Sequence, residues 1–132
     1  MNTSKHNWQT WLVQGDQYFK AATPKSEISR FGTDIRYNLI SMSLESYIMA
    51  ILDFHQTLPD NHSYTDLITA LETVIPLDVK LKKRILQYES VQSICSVDKY
   101  QRINPTEDEI FDLKEAIGEI RNMAHEICIL VI

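Results

Sequence analysis

Between Thr33 and Phe54 the apolar residues Tyr37, Ile40, Leu44, Ile48 and Ile51, continued by His55, fall on one helical stripe. Leu39, Met42 and Met49 widen that stripe until little of the circumference is left polar. A helix of this kind has to be surrounded, because apolar surface left in water forfeits the gain of burial. The segment therefore predicts a helix at the centre of a bundle, with His55 at the core or its boundary. Three glycines, Gly15, Gly32 and Gly118, are too few for a protein made of hairpins, so the remaining chain is read as helical too. Its 132 residues, 44% of them hydrophobic, make a single domain over 1–132. A chain of this length buries roughly two-thirds of its unfolded surface and needs no disulfide or structural metal.

The other helices are marked by period and punctuation. Trp8, Trp11, Leu12, Tyr18, Phe19 and Ala22 recur at steps of three and four and predict a first helix closed by Pro24. The stretch Leu58-Pro59-Asp60-Asn61-His62 reads as a turn. Ser63 and Asp66 then make a near capping box before Leu67, Ile68, Leu71, Val74 and Ile75, and Pro76 ends this third helix. Leu77, Leu81, Ile85, Tyr88 and Cys95 mark a fourth, whose Lys80, Lys82, Lys83 and Arg84 are expected to face water. After a polar stretch over 96–104, Thr106 and Glu109 supply a capping box for a last helix. Its seam is Ile110, Leu113, Ile117, Ile120, Ala124, Ile127 and Val131. The architecture predicted is all-α, an up-and-down antiparallel bundle of four to five helices. The apolar end Ile127-Cys128-Ile129-Leu130-Val131-Ile132 needs cover beyond one seam, which points to a homodimer contact.

Charge and cysteine usage narrow the function classes. Thirteen Lys and Arg against 18 Asp and Glu leave a net charge of −5, unsuited to coating nucleic acid through bulk charge. Cys95 and Cys128 sit far apart among apolar residues and read as buried thiols in a reducing compartment. The amino terminus carries no apolar run of signal-peptide length, and no stretch is apolar enough to span a membrane, so the expected location is cytoplasmic. There is no Cys-x-x-Cys, and His125-Glu126-Ile127-Cys128 lacks the second histidine of a zincin helix, so no metal is expected. The isolated glycines form no phosphate-cradling loop or dinucleotide fingerprint, and no cofactor is expected.

Three stretches in order carry a resemblance: Ser43-Leu44-Glu45-Ser46-Tyr47-Ile48-Met49-Ala50-Ile51-Leu52, then Asn61-His62-Ser63-Tyr64-Thr65-Asp66-Leu67, then Tyr100-Gln101-Arg102-Ile103-Asn104-Pro105-Thr106-Glu107-Asp108-Glu109. Together they resemble the HEPN family of small helical domains. The resemblance implies a helical bundle that binds a nucleotide or RNA, or serves as accessory partner of a nucleotidyltransferase or of a toxin–antitoxin system. Met49 stands where the family has a lysine, and Arg102-Ile103-Asn104-Pro105 loosens its Arg-Tyr-Pro pattern, which weakens the nucleotide-binding expectation.

Many HEPN domains are metal-independent ribonucleases with an arginine, a polar residue and a histidine in the last helix, usually paired across a dimer. Arg121-Asn122-Met123-Ala124-His125 looks like that motif, with the spacing to the histidine one residue short. A four-residue step places Arg121 and His125 about 40° apart on one helix face. His125 would move a proton, Arg121 would hold a phosphate, and Asn122 would assist. The competing reading pairs Arg121 with Glu115, Glu119 or Glu126 and leaves His125 exposed.

Other candidates for contact with a nucleotide or RNA are Lys80, Lys83 and Arg84 on one helix face, with Glu45, His62 and Arg102. A solvated face is the alternative for the lysines. His62 has the alternative of capping the third helix. Glu45, a carboxylate in the most apolar helix, needs a partner, for which Arg36, Arg102 and Arg121 are available. Taken together, the residues favour a non-catalytic HEPN-type domain, ahead of a ribonuclease using Arg121 and His125 and of a structural interaction bundle.

Overall fold

The computed structural model describes residues 7–22, 32–59, 61–89 and 105–129. Five α-helices make up the described residues: α1 (Asn7–Ala22), α2 (Thr33–Phe54), α3 (Tyr64–Glu72), α4 (Val79–Leu86) and α5 (Glu107–Ile129). The all-α bundle expected from the periodicity is present, with no strand among these residues. Cys95, Arg102, Pro24 and the terminal Leu130-Val131-Ile132 lie outside the described residues, and with them most of the expected dimer contact.

Helix α2 occupies the centre. Ile40, Leu44, Tyr47, Ile48, Ala50, Ile51 and Leu52 are fully buried, as the broad apolar stripe requires. Met49 is also buried, so a lysine at that position would have to give up its hydration within the core. The stripe is narrower at Met42, which is 41% exposed. Helix α5 contributes Ile110, Leu113, Ile117, Ile120 and Ala124, and α1 contributes Leu12 and Ala22. Cys128 is buried, and that burial pushes its thiol up to about 11.

Residue pairings give the helix directions. Trp8 meets Phe54 edge to face, and Asp16 meets Tyr47, so α1 runs antiparallel to α2. Arg36 near the start of α2 pairs with Glu107 at the start of α5, and further along Tyr47 lies beside His125. Helices α2 and α5 therefore run the same way, and strict up-and-down alternation does not hold between them. The chain returns through the short α3 and α4, which makes this possible.

Helix ends follow local chemistry. Ser63 Oγ accepts from Asp66 N, while the Ser63 hydroxyl donates to the Asp66 carboxylate at 2.8 Å. Asp78 accepts from Leu81 N at 3.2 Å, so α4 begins at Val79 and Leu77 precedes it. The α5 box is complete: Thr106 N donates to Glu109 Oε1 at 2.8 Å, and Glu109 N donates to Thr106 Oγ1 at 3.1 Å. Helix α3 stops at Glu72, four residues short of Pro76, so Val74 and Ile75 pack from a turn.

Helix α2 closes with a Schellman motif. Gln56 N donates to Asp53 O and Thr57 N to Leu52 O, with Gln56 at φ 59°. His55 is the cap residue. Because the helix ends before it, His55 leaves the buried stripe and is exposed, its Nδ1 lying 2.8 Å from Ile51 O. A left-handed residue with a Cβ costs about 1 kcal/mol relative to glycine. Gln56→Gly is therefore expected to stabilise the protein by that amount, read as a raised midpoint in urea. An unchanged or lowered midpoint would contradict this account of the α2 end.

Candidate functional site

The site begins with a missing side chain. Gly15 occupies the inward register of α1 between Leu12 and Phe19, and a Cβ built there would lie 2.7 Å from Cδ1 and Cε1 of Tyr47. Its absence lets the fully buried Tyr47 ring of α2 lie against the α1 backbone. The phenol then reaches the next residue, donating to Asp16 Oδ1 at 2.6 Å.

Two side chains from α5 converge on the same carboxylate. His125 Nε2 lies 2.9 Å from each Asp16 oxygen, and Arg121 Nε lies 3.3 Å from Oδ1. The four-residue step expected from the sequence does bring Arg121 and His125 onto one face. Their partner is Asp16 of α1, not Glu115, Glu119 or Glu126. The Arg121 guanidinium also sits 5.8 Å from the centre of the Phe19 ring, against which Lys114 Nζ lies at 5.1 Å.

Electrostatics follow from this convergence. Burial opposes ionisation of Asp16, but hydrogen bonds from His125 and Tyr47, reinforced by the charges of His125 and Arg121, outweigh it. The carboxyl is held below its usual range. Burial and the neighbouring Asp16 carboxylate push the Tyr47 phenol well above its ordinary value, so Tyr47 serves as a donor. The cluster is open on one side: the side chains of Asp16, Arg121 and His125 are 37%, 40% and 28% exposed.

The other candidate residues are dispersed. Asn122 is exposed and does not join His125. It lines a shallow depression of about 410 Å³ with Phe19, Arg84, Gly118, Glu119 and Arg121. Arg84 does not simply face water as the helix pattern predicts. Its Nη2 donates to Asp112 Oδ1 at 2.8 Å and to the Asp112 carbonyl at 3.2 Å, while Nη1 lies 3.5 Å from Glu119. Asp112 also accepts from the Tyr88 hydroxyl at 2.8 Å. That bond, with Arg84 and against the effect of burial, holds the Asp112 carboxyl low. Lys82 pairs with Glu72 at 3.0 Å. Lys80 and Lys83 are exposed, as a solvated face requires, and Arg102 lies outside the described residues.

Among the described residues Glu45 takes neither Arg36 nor Arg121 as partner. Its Oε2 lies 2.6 Å from His62 Nδ1, whereas Arg36 is buried against Glu107. His62 accordingly bridges α3 to α2, and the capping of α3 falls to Ser63. The pair lies at a cavity of about 330 Å³ lined also by Asn38, Ser41, Met42, Tyr64 and Leu67, where Ser41 and Tyr64 share a hydrogen bond. Among the described residues no group of His, Cys, Asp and Glu is arranged to hold a metal ion, and no helix is long and apolar enough to cross a membrane.

Asp16 and Tyr47 are the site residues that the sequence pattern did not single out. The available signal was Gly15, a glycine inside an apolar helical register where a large residue is the norm. No family model matches the chain, and no curated protein or solved structure matches it either.

Two outcomes follow. Gly15→Ala drives a methyl into the Tyr47 ring and is expected to cost about 1–3 kcal/mol in chemical denaturation, the range for overpacking. A variant as stable as the wild type would refute the close approach. The lowered Asp16 carboxyl stabilises the fold fully above the ordinary aspartate range, and this contribution is lost as pH falls through the lowered folded value. Asp16→Asn should therefore flatten the acid limb of a stability–pH profile. Since Asp112 and Glu89 are lowered as well, part of the slope persists, and the difference between the two profiles isolates Asp16.

Proposed function

We propose that the chain is a non-catalytic, HEPN-like helical domain that works through interaction, as accessory partner to a protein such as a nucleotidyltransferase or an antitoxin. The observation that carries this reading is the capture of both Arg121 and His125 by Asp16. An arginine that is to hold a phosphate, and a histidine that is to move a proton at it, both need those nitrogens directed at the substrate. Here the same nitrogens are directed at a carboxylate of the chain itself. Three further cations among the described residues point the same way, since Arg36, Lys82 and Arg84 are paired with Glu107, Glu72 and Asp112. Of the basic face on α4, Lys80 and Lys83 are left outside such pairs, and two lysines offer little counterion release on RNA.

The second reading, a metal-independent ribonuclease, is favoured by the shared face of Arg121 and His125 and by their partial exposure. One experiment separates the two. Purified protein is incubated with mixed RNA in EDTA beside an Arg121→Ala/His125→Ala variant whose far-UV spectrum shows it folded. The interaction reading expects intact RNA in both reactions. Cleavage by the wild type alone would overturn it in favour of the ribonuclease.

A further inference from the structure

The cavity of about 330 Å³ between α2 and α3 is chemically one-sided. Each hydroxyl has a single hydrogen to give, and this fixes the polarity of the groups behind its wall. Tyr37 gives its hydrogen to the Tyr88 carbonyl at 2.8 Å, so in the bond that joins Tyr64 to Tyr37 the hydrogen comes from Tyr64. The bond between Ser41 and Tyr64 is then donated by Ser41. With its hydrogen spent inward, the Ser41 hydroxyl has only lone pairs left for the cavity. Glu45 adds a second acceptor, because His62 Nδ1 answers Oε2 at 2.6 Å and no group among the described residues answers Oε1.

We infer that this cavity binds a primary alkylammonium group, with the nitrogen on the Glu45 carboxylate and Ser41 Oγ and the stem along Met42 and Leu67. An ammonium carries three N–H donors and no acceptor, which complements a carboxylate oxygen, a hydroxyl lone pair and the side-chain carbonyl of Asn38. The apolar walls select a carbon stem over a bare cation: Leu67 is buried and Met42, at the rim, is 41% exposed. The volume stands at the small end of ligand pockets, enough for a short amine or one lysine side chain.

Charge around the cavity favours the same ligand. No lysine or arginine lines it. The amino end of α3, which alone would attract an anion, is already answered from within the chain. Thr65 N donates to Glu89 at 3.0 Å, Asp66 N donates to Ser63 Oγ at 3.1 Å, and Asp66 sits in the first turn. His62 donates to Glu45 from Nδ1 in its neutral form, and in that form brings no positive charge to compete with an ammonium. The inference goes beyond the interaction role by naming a ligand chemistry, and the cavity shares no residue with the Asp16 cluster.

An alkylammonium group comes on a free small amine or on a lysine of a partner chain, and two probes distinguish these sources. n-Butylammonium chloride and Nα-acetyl-lysine methylamide are titrated into the full-length protein at about pH 8, above the ordinary histidine range. Sodium chloride at matched ionic strength, tetramethylammonium chloride and n-butanol are the controls, the last two supplying charge without N–H donors and stem without charge. Saturable shifts of the Met42 methyl and His62 ring signals and a raised melting temperature are expected with butylammonium and with none of the controls. The methylamide gives the same response if the source is a lysine of a partner, and none if it is a free amine. Glu45→Gln should weaken binding by about tenfold or more, the scale of a hydrogen bond to a charged group. Asp108→Asn removes an equal charge from an exposed position of α5 and should leave binding unchanged. Silence of both amines, an equal response to tetramethylammonium or butanol, or an equal loss in Asp108→Asn would overturn the site. Should Glu45→Gln not fold, Met42→Lys places a resident ammonium at the rim, three residues from Glu45, and is expected to abolish binding; undiminished binding there also counts against the proposal. None of these outcomes depends on whether RNA is cut, so failure here leaves the interaction reading to its own test.

Discussion

A helix buried on nearly every side can place few polar groups in water, so each polar group on its covered faces needs a partner from whatever packs against it. In α2 this constraint organises the molecule, although Arg36 Nε and Asp53 Oδ2 are left without a partner among the described residues. The Tyr47 phenol is met by Asp16 of α1, Ser41 by Tyr64 of α3, Tyr37 by the Tyr88 carbonyl at 2.8 Å, and Arg36 by Glu107 of α5. Ser43 turns back to the Ile40 carbonyl of its own helix at 2.6 Å. Hydrophobic burial draws the surrounding helices in without direction, and these bonds then select their register. A slide of α1 by one turn along α2 would leave the Tyr47 hydroxyl buried without its acceptor.

The candidate site arises from the same requirement. Tyr47 needs an acceptor, Gly15 makes room for the ring, and Asp16 follows Gly15 in the chain. Once an ionised carboxylate is drawn partly out of water it needs compensation in turn, which Arg121 and His125 of α5 supply. The cluster is thus a chain of compensations linking three helices. Its chemical character, cations answering an internal acid, is shared by Arg84 with Asp112 and by Lys82 with Glu72. With a net charge of −5, and with Arg36, Lys82, Arg84 and Arg121 each answered by an acid of the chain, nucleic-acid affinity is left to whatever specific sites exist.

What the linear pattern made legible was local or periodic. The spacing of Ile110, Leu113, Ile117, Ile120 and Ala124 is a property of one helix, and all are buried. The Thr106–Glu109 box spans one turn and forms as expected. The four-residue step joining Arg121 to His125 likewise needs no knowledge of the rest of the chain. Where the pattern misled, a second element intervened. His55 continues the α2 period, but the helix has already ended in a Schellman turn. For Glu45 the sequence offers Arg36 and Arg121, but the turn after α2 brings back His62 instead.

Helix content, the central place of α2, the capped starts of α3 and α5 and the pairing of Arg121 with His125 on one face were determined by the sequence by itself. Each depends on residues within a few turns of one another, whose relative positions the helix geometry prescribes. The tertiary structure alone decided that α2 and α5 run in the same direction, that Glu45 meets His62, and that Asp16, 109 positions from His125, is the group on which the site closes. Such pairings depend on which helices lie side by side and in what register. That is set by the packing of the whole core and by the need to satisfy its buried polar groups, a condition that no single segment carries.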